Sequence, residues 1–186
     1  MDEICIPRAS QKTLLGLAWQ TLHDFVRGAP RQLPNIQDPY LESCNYGAFV
    51  SLHKRRELRG CIGICAPTLP LYQTVIEMTE AAASRDYRVE PIAIEELDAI
   101  QLDISVLSPL EAVPDPFILQ VGKHGLHVAQ DEYKAVLLPQ VAIQYRWDMK
   151  TFLEQVCLKA GLDKDAWQQP ETRVSSFTAL IIEGPM

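Results

Sequence analysis

The sequence predicts an α+β fold of mostly antiparallel sheets with flanking helices. Apolar residues recur at helical spacing in some segments and alternate with polar residues in others. These segments follow one another as single helices and hairpins, without the strand–helix–strand rhythm of a doubly wound parallel sheet. With 186 residues the chain is long enough for one buried core, so we expect a single domain over residues 1–186.

Residue types that commonly begin or end helices mark the bounds of the predicted helices. Ser10 and Asp148 are residue types that cap helix N-termini, whereas Gly28 and Gly161 are typical of residues just past a C-terminus. Three prolines make residues 29–44 the longest irregular segment. The apolar stripes predict helices over residues 10–27, 70–84 and 149–160, and a short helical turn over residues 94–99.

Alternation of apolar and polar side chains marks the strands. Residues 47–53 and 58–64 form two such runs, and the basic tripeptide Lys54-Arg55-Arg56 between them predicts the solvated turn of a hairpin. Further strands are predicted over residues 102–107, 117–121, 125–129, 133–138 and 175–182.

Composition and charge exclude several classes of function. A net charge of −7 repels phosphate at long range, so we expect no nucleic-acid partner. No apolar run approaches the length of a membrane span, and the acidic start Met1-Asp2-Glu3 is unlike a signal peptide, so we expect no membrane partner and a cytoplasmic location. The five cysteines are widely spread, with no Cys-x-x-Cys pair, and predict no disulfide framework, metal site or cofactor.

The chemically most informative segment is Leu58-Arg59-Gly60-Cys61-Ile62-Gly63. Side chains two positions apart on a strand share a face, so Arg59 and Cys61 are expected on one side. A neighbouring positive charge stabilises the thiolate, the nucleophilic form of cysteine. The alternative is that Cys61 is a small apolar group of the core, as many cysteines are.

This segment resembles the signature of the AMMECR family, also called AmmeMemoRadiSam system protein A. The similarity extends in order from about residue 10 to residue 183. The further segments that carry it are Gly47-Ala48-Phe49-Val50-Ser51-Leu52, Arg85-Asp86, Ile104-Ser105-Val106-Leu107-Ser108-Pro109, Gly122-Lys123-His124-Gly125-Leu126, Leu137-Leu138-Pro139-Gln140-Val141-Ala142, Trp147-Asp148, Phe152-Leu153, Lys159-Ala160-Gly161-Leu162 and Ala166-Trp167. The resemblance implies an α+β fold with a larger and a smaller lobe around a cleft.

Three other residues are candidates for binding or catalysis. Arg85 could bind an anion with its planar fork, or form a surface pair with Asp86. His124 matches the family pattern and could act as general acid or base, or could be a turn histidine bonded to backbone. Gln140 could orient a ligand through its amide, or satisfy a loop backbone.

Two functional hypotheses follow. The first is an enzyme that acts on a small anionic or electrophilic metabolite, with Cys61 as nucleophile, His124 as acid/base, and Arg59, Arg85 and Gln140 as substrate-binding residues. The second is a non-catalytic interaction module; the resemblance implies Memo-like and radical S-adenosylmethionine proteins as its partners. Tyr87, Lys134, Ala135 and Arg146 depart from the family pattern and affect the expected shape of the cleft rim.

Overall fold

The computed structural model describes residues 4–31, 33–55 and 57–184 of the chain. Its α-helices are α1 (Arg8–Val26), α2 (Leu71–Ser84), α3 (Pro139–Tyr145) and α4 (Met149–Lys159). Its strands are β1 (Gly47–Lys54), β2 (Glu57–Ile64), β3 (Ile100–Leu107), β4 (Glu111–Ala112), β5 (His124–Gln130), β6 (Tyr133–Leu137) and β7 (Arg173–Glu183). Short 3₁₀ helices span Ile94–Ala99, Pro116–Ile118 and Ala166–Gln168. Helices flank antiparallel strands, which confirms the predicted α+β class.

Most predicted elements are present where the sequence placed them. The helical turn at 94–99 is confirmed, and Asp148 caps α4 by accepting a hydrogen bond from the backbone N–H of Thr151 at 2.8 Å. Gly161 follows that helix with a positive φ of 81°. The hairpin turn contains Arg55 at φ 50°, whereas Arg56 of the predicted tripeptide lies outside the described residues, as does the acidic start at residues 1–3.

Two predictions and one omission need correction. The strand predicted over residues 117–121 is wrong: Asp115 accepts a hydrogen bond from the Phe117 N–H at 3.0 Å and starts a 3₁₀ turn there. The N-cap predicted at Ser10 is also wrong, because α1 begins two residues earlier, after Pro7. The sequence reading missed α3, which begins at Pro139 directly after a strand; proline suits the first helical position because that residue needs no intrahelical N–H bond.

The described residues divide into two compact units. The N-terminal unit contains residues 5–107 together with residues 180–184 at the end of the described chain. The C-terminal unit contains residues 108–179 together with residue 4. Strand β7 passes from the second unit to the first at residue 180.

The N-terminal unit has a sheet of order β2-β1-β3, with both neighbours of β1 antiparallel to it. One face is buried beneath α2, and Ala48, Val50 and Leu52 of β1 lie on it. Gly60 of β2 also faces that helix, because a Cβ there would lie 2.0 Å from the Ala82 carbonyl oxygen. The opposite face carries Ser51 of β1, which alternation places away from the helix.

In the C-terminal unit, β5 pairs with both β6 and β7, and β4 pairs with the other edge of β7. Helix α4 buries one apolar stripe over these strands, consistent with its predicted amphipathic pattern. The buried residues of this core are Leu126, Val128, Leu137, Ala142, Phe152, Leu153, Val156, Cys157, Ala160, Ala166 and Val174.

Replacing Gly60 by alanine tests the close packing of β2 on α2. The added methyl group would overlap main-chain atoms of Ala82, which cannot rotate away as a side chain does. We expect Gly60→Ala to lower the free energy of unfolding by about 1–3 kcal/mol, measured by urea denaturation. Gly16→Ala is the matched control, because Gly16 is an exposed helical residue with open space around it and should gain up to about 1 kcal/mol. Equal effects of the two substitutions would contradict this packing.

Candidate functional site

The main chain of Cys61 is held on both sides by an ion pair. Its N–H donates to Asp86 Oδ2 at 2.9 Å, and its carbonyl accepts a hydrogen bond from Arg88 Nη2 at 3.2 Å. Asp86 and Arg88 also bond each other twice, from Nε to Oδ1 at 2.8 Å and from Nη2 to Oδ2 at 2.6 Å. We call this arrangement of Asp86, Arg88 and the Cys61 backbone the clamp.

The clamp forms where the chain turns after α2. The Asp86 side chain is 1% exposed, whereas the Arg88 side chain is 46% exposed and so reaches solvent. The hydrogen bonds from the Arg88 guanidinium, followed by those from the backbone N–H groups of Cys61 and Arg88, hold the pKa of Asp86 well below its usual range despite burial. The clamp therefore contains a permanently ionised carboxylate at neutral pH.

The sulfur of Cys61 lies on the sheet face opposite to α2. Ser51, its cross-strand neighbour on β1, donates a hydrogen bond from Oγ to Cys61 Sγ at 3.3 Å. On the other side of Ser51, β3 presents Asp103 at the same register position. His53 of β1 completes this polar row, with Nδ1 3.5 Å from Asp103 Oδ2.

Asp103 is a half-buried carboxyl in this row. Burial raises the pKa of Asp103, the nearby His53 partly offsets that rise, and the negative charge of Glu183 adds to it. The sequence reading missed Ser51, His53 and Asp103 as site residues. The register of the predicted hairpin could have indicated Ser51, because it faces Cys61 directly across the strands.

Strand alternation predicted that Arg59 lies beside Cys61, but its guanidinium contacts Glu96 instead. The register changes from Leu52 opposite Gly60 to His53 opposite Leu58, so Arg59 sits in a β-bulge without a partner on β1. Its guanidinium donates to Glu96, from Nε at 3.2 Å and from Nη2 at 2.8 Å.

Glu96 joins two cations in this second cluster. Lys54 Nζ lies 3.0 Å from Glu96 Oε1, beside the contacts from Arg59. Hydrogen bonds from Arg59, and then from Lys54, lower the pKa of Glu96 to about 2. The same contacts raise the pKa of Arg59, so its charge is already balanced by a carboxylate.

The arginine that contacts Cys61 is not Arg85, the candidate named from sequence, but Arg88. Arg85 is exposed and follows the last residue of α2, where its backbone N–H donates to the Ala81 carbonyl at 2.7 Å. The arginine that meets Cys61 is Arg88, three residues later. Spacing along the chain could not distinguish them, because the choice depends on a turn whose geometry is set by burial of Asp86.

His124 and Gln140 both lie in the C-terminal unit. The Gln120 backbone N–H donates to His124 Nδ1 at 2.9 Å, which leaves Nε2 as the nitrogen that can exchange a proton with a ligand. Burial, and then the charge of Lys123, lower the pKa of His124. Gln140 is exposed in the first turn of α3.

Metal sites, disulfides and membrane-spanning helices are absent from the described residues. Among them, no group of three or more His, Cys, Asp or Glu side chains is arranged to hold a metal ion. None of the five cysteines, all within the described ranges, forms a disulfide. No helix in the described part of the chain combines the length and apolar character needed to cross a bilayer.

Comparison with known proteins decides the family. The family model described as AMMECR1 matches residues 15–182, which is most of the chain. The chain belongs to the AMMECR1 family. A relative from Methanothermobacter thermautotrophicus is 39% identical over 184 residues, covering 95% of both chains. A second relative, from Aquifex aeolicus, is 40% identical over 148 residues and covers 76% of both chains.

A solved structure of similar fold supports the same family. The crystal structure of the uncharacterized protein PH0010 from Pyrococcus horikoshii superposes with a TM-score of 0.85 at 32% sequence identity. The match covers 95% of this chain and 97% of that one. The AMMECR1-family domain of this chain therefore has a near-complete structural counterpart.

The lowered pKa values of Asp86 and Glu96 predict loss of stability in acid. A carboxyl whose pKa falls on folding stabilises the protein above its unfolded value of about 4, and this contribution disappears as pH falls through the folded value. Between pH 7 and about 5, we expect these two groups to change the midpoint of urea denaturation little. Below about pH 4, we expect the midpoint to decrease as they become protonated. Asp86→Asn and Glu96→Gln should each lower the midpoint at pH 7 and flatten its decrease in acid.

The neighbouring substitution Glu95→Gln is the control for this pH series. Glu95 is exposed and lies in the same 3₁₀ turn as Glu96, so it shares the backbone environment without the two cationic partners. An acid decrease in the Asp86→Asn and Glu96→Gln variants as steep as that of Glu95→Gln would contradict the role of these two ion pairs.

Proposed function

We propose that this AMMECR1-family chain is a cytosolic enzyme that acts on a small anionic or electrophilic metabolite, with Cys61 as the nucleophile. The observation that carries the proposal is the clamp. It fixes the backbone of Cys61 with a buried carboxylate and a half-exposed guanidinium, and leaves the sulfur partly accessible on the sheet face away from α2.

Arg88 supplies the positive charge that the chemistry requires. Its strongest partner is Asp86, which raises the pKa of Arg88, and the charge that Cys61 gains on ionisation adds to that rise. The guanidinium thus places a positive charge next to the Cys61 main chain. The solvent-exposed part of Arg88 and the exposed Arg85 could also attract an anionic group of the substrate.

The other residues named from sequence keep narrower proposed roles. His124 would act through Nε2, since Nδ1 accepts the Gln120 N–H. Gln140, exposed at the start of α3, would hydrogen-bond a polar substrate group. Arg59 would contribute through its ion pair with Glu96, which stabilises the strand next to Cys61.

A second candidate function is the interaction module, with Memo-like and radical S-adenosylmethionine proteins as proposed partners. The observation that favours it is the exposure of large apolar side chains in the C-terminal unit, where Ile118 is 71% and Ile143 is 59% exposed. Sedimentation of the purified chain with each partner class tests this alternative. Binding that Ile118→Lys weakens and Cys61→Ala does not change would support the module over the enzyme.

Selective alkylation of Cys61 tests the enzyme proposal. We expect iodoacetamide to modify Cys61 faster than the exposed Cys44 at pH 7, because the Arg88 guanidinium contacts the Cys61 main chain. Mass spectrometry of peptides from the folded protein follows all five cysteines in one sample. Arg88→Lys, which keeps the charge but loses the two-pronged contact with Asp86, should slow Cys61 several-fold.

Arg27→Lys is the matched control, because Arg27 is an exposed arginine that follows α1 in the same N-terminal unit as Cys61. It should leave the alkylation rates of both cysteines unchanged. If Cys61 in the unaltered protein reacts no faster than Cys44 at any pH, then a nucleophilic role for Cys61 is ruled out.

A further inference from the structure

We propose that His53 and Asp103 form the acid/base pair of the Cys61 site and that Ser51 positions its sulfur. This inference rests on the proposed function and deepens it, because it gives the acid/base role, assigned from sequence to His124 of the C-terminal unit, to a histidine on the same sheet as the nucleophile. It also indicates a substrate class: a small molecule with a polarised double bond, such as a carbonyl or an activated alkene.

Strand register brings the four side chains to one face. Ser51 is directly opposite Cys61 on β2 and directly opposite Asp103 on β3, so these three residues lie side by side across the sheet. His53 is two residues beyond Ser51 on the same strand, about 7 Å along it, and therefore shares that face. All four residues belong to the N-terminal unit.

Two contacts join these side chains in pairs. Ser51 Oγ donates to Cys61 Sγ at 3.3 Å, which fixes the direction in which the sulfur points. Asp103 Oδ2 lies 3.5 Å from His53 Nδ1, the orientation that leaves Nε2 to take a proton. A carboxylate beside one ring nitrogen orients the imidazole.

The reaction step balances within the site and the substrate. In the proposed step the Cys61 thiol passes its proton through solvent water to His53 Nε2 while the Ser51 hydroxyl donates to the sulfur, and the sulfur forms a bond to the electrophilic carbon. The electron pair of the broken π bond moves to the far atom of the double bond, which then receives the proton from the imidazolium. The product is a thioether or hemithioacetal, and no oxidant or reductant is needed. The spacing of about 7 Å along β1 fits a substrate of a few heavy atoms.

Most of the other charged side chains near the polar row form ion pairs with one another. Glu183 faces Asp103 and raises its pKa. On β2, Arg59 is paired with Glu96, as is Lys54 at the end of β1. At the outer edge, Arg88 is paired with Asp86. His53 is therefore the basic side chain of this row that lies beside Asp103.

The decisive experiment uses N-ethylmaleimide, whose activated double bond matches the proposed substrate class. Addition to Cys61 is followed by peptide mass spectrometry from pH 5.5 to 9 in the full-length protein. We expect His53→Gln and Asp103→Asn each to slow addition about tenfold at pH 7, and the double variant to be no slower than either. Ser51→Ala should slow it several-fold, and His23→Gln, the same change on α1 of the same unit, should have no effect.

The sign of the Asp103→Asn effect separates the proposal from simple electrostatics. If Asp103 acted on Cys61 only through its charge, then removing a negative group would favour the thiolate and speed the reaction. Faster addition in Asp103→Asn, or an unchanged rate in His53→Gln, overturns the inference. Urea denaturation verifies that each variant is folded, and His53→Asn and Asp103→Ser replace any variant that is not.

The same data distinguish this inference from the proposed function. If Cys61 of the unaltered protein is no more reactive than Cys44, then the nucleophile itself is wrong and both proposals fall. If Cys61 is selectively reactive but indifferent to His53 and Asp103, then the nucleophile stands and only the acid/base assignment is overturned.

Discussion

The buried carboxylate of Asp86 is the constraint on which the N-terminal unit's site depends. A charge removed from water is stable only when its hydrogen-bonding capacity is filled, and Asp86 fills it with the Arg88 guanidinium and two backbone N–H groups. One of those N–H groups belongs to Cys61, on the outer strand of the sheet β2-β1-β3. The end of α2, the turn after it and the outer edge of the sheet are thus held by one ionised group.

The clamp also provides hydrogen-bond partners for polar main-chain groups at an exposed strand edge. An outer strand presents N–H and C=O groups that would otherwise pair with another chain, and at Cys61 the ion pair satisfies one of each. The C-terminal unit uses a related device on β6, where Lys159 Nζ donates to the Val136 carbonyl at 2.9 Å. In both units a cationic side chain hydrogen-bonds to a carbonyl group on an edge strand, where a neighbouring strand would otherwise pair. In the N-terminal unit the same contacts also hold the backbone of Cys61.

Sequence alone predicted the local elements better than the site. Helices, strands and the hairpin follow from periodicity and punctuating residues, which act over a few positions, as Asp148 and Gly161 illustrate. The bulge at Arg59 interrupts the alternation of side chains between the two faces of the strand, and no local sequence pattern predicts it. The contact of Arg88 with Cys61 spans 27 positions and depends on burial of Asp86, which no local pattern encodes.

The signature segment has structural reasons for its composition that are independent of chemistry. Gly60 allows close contact with α2, and Gly63 leaves room for the Phe49 ring, whose nearest atom would lie 2.2 Å from an added Cβ. Arg59 is engaged with Glu96. The clamp, however, contacts only the backbone of Cys61, which any residue except proline could supply. The thiol is therefore the part of this segment that the clamp does not require, and substitution of Cys61 separates a chemical role of the sulfur from the structural role of the strand.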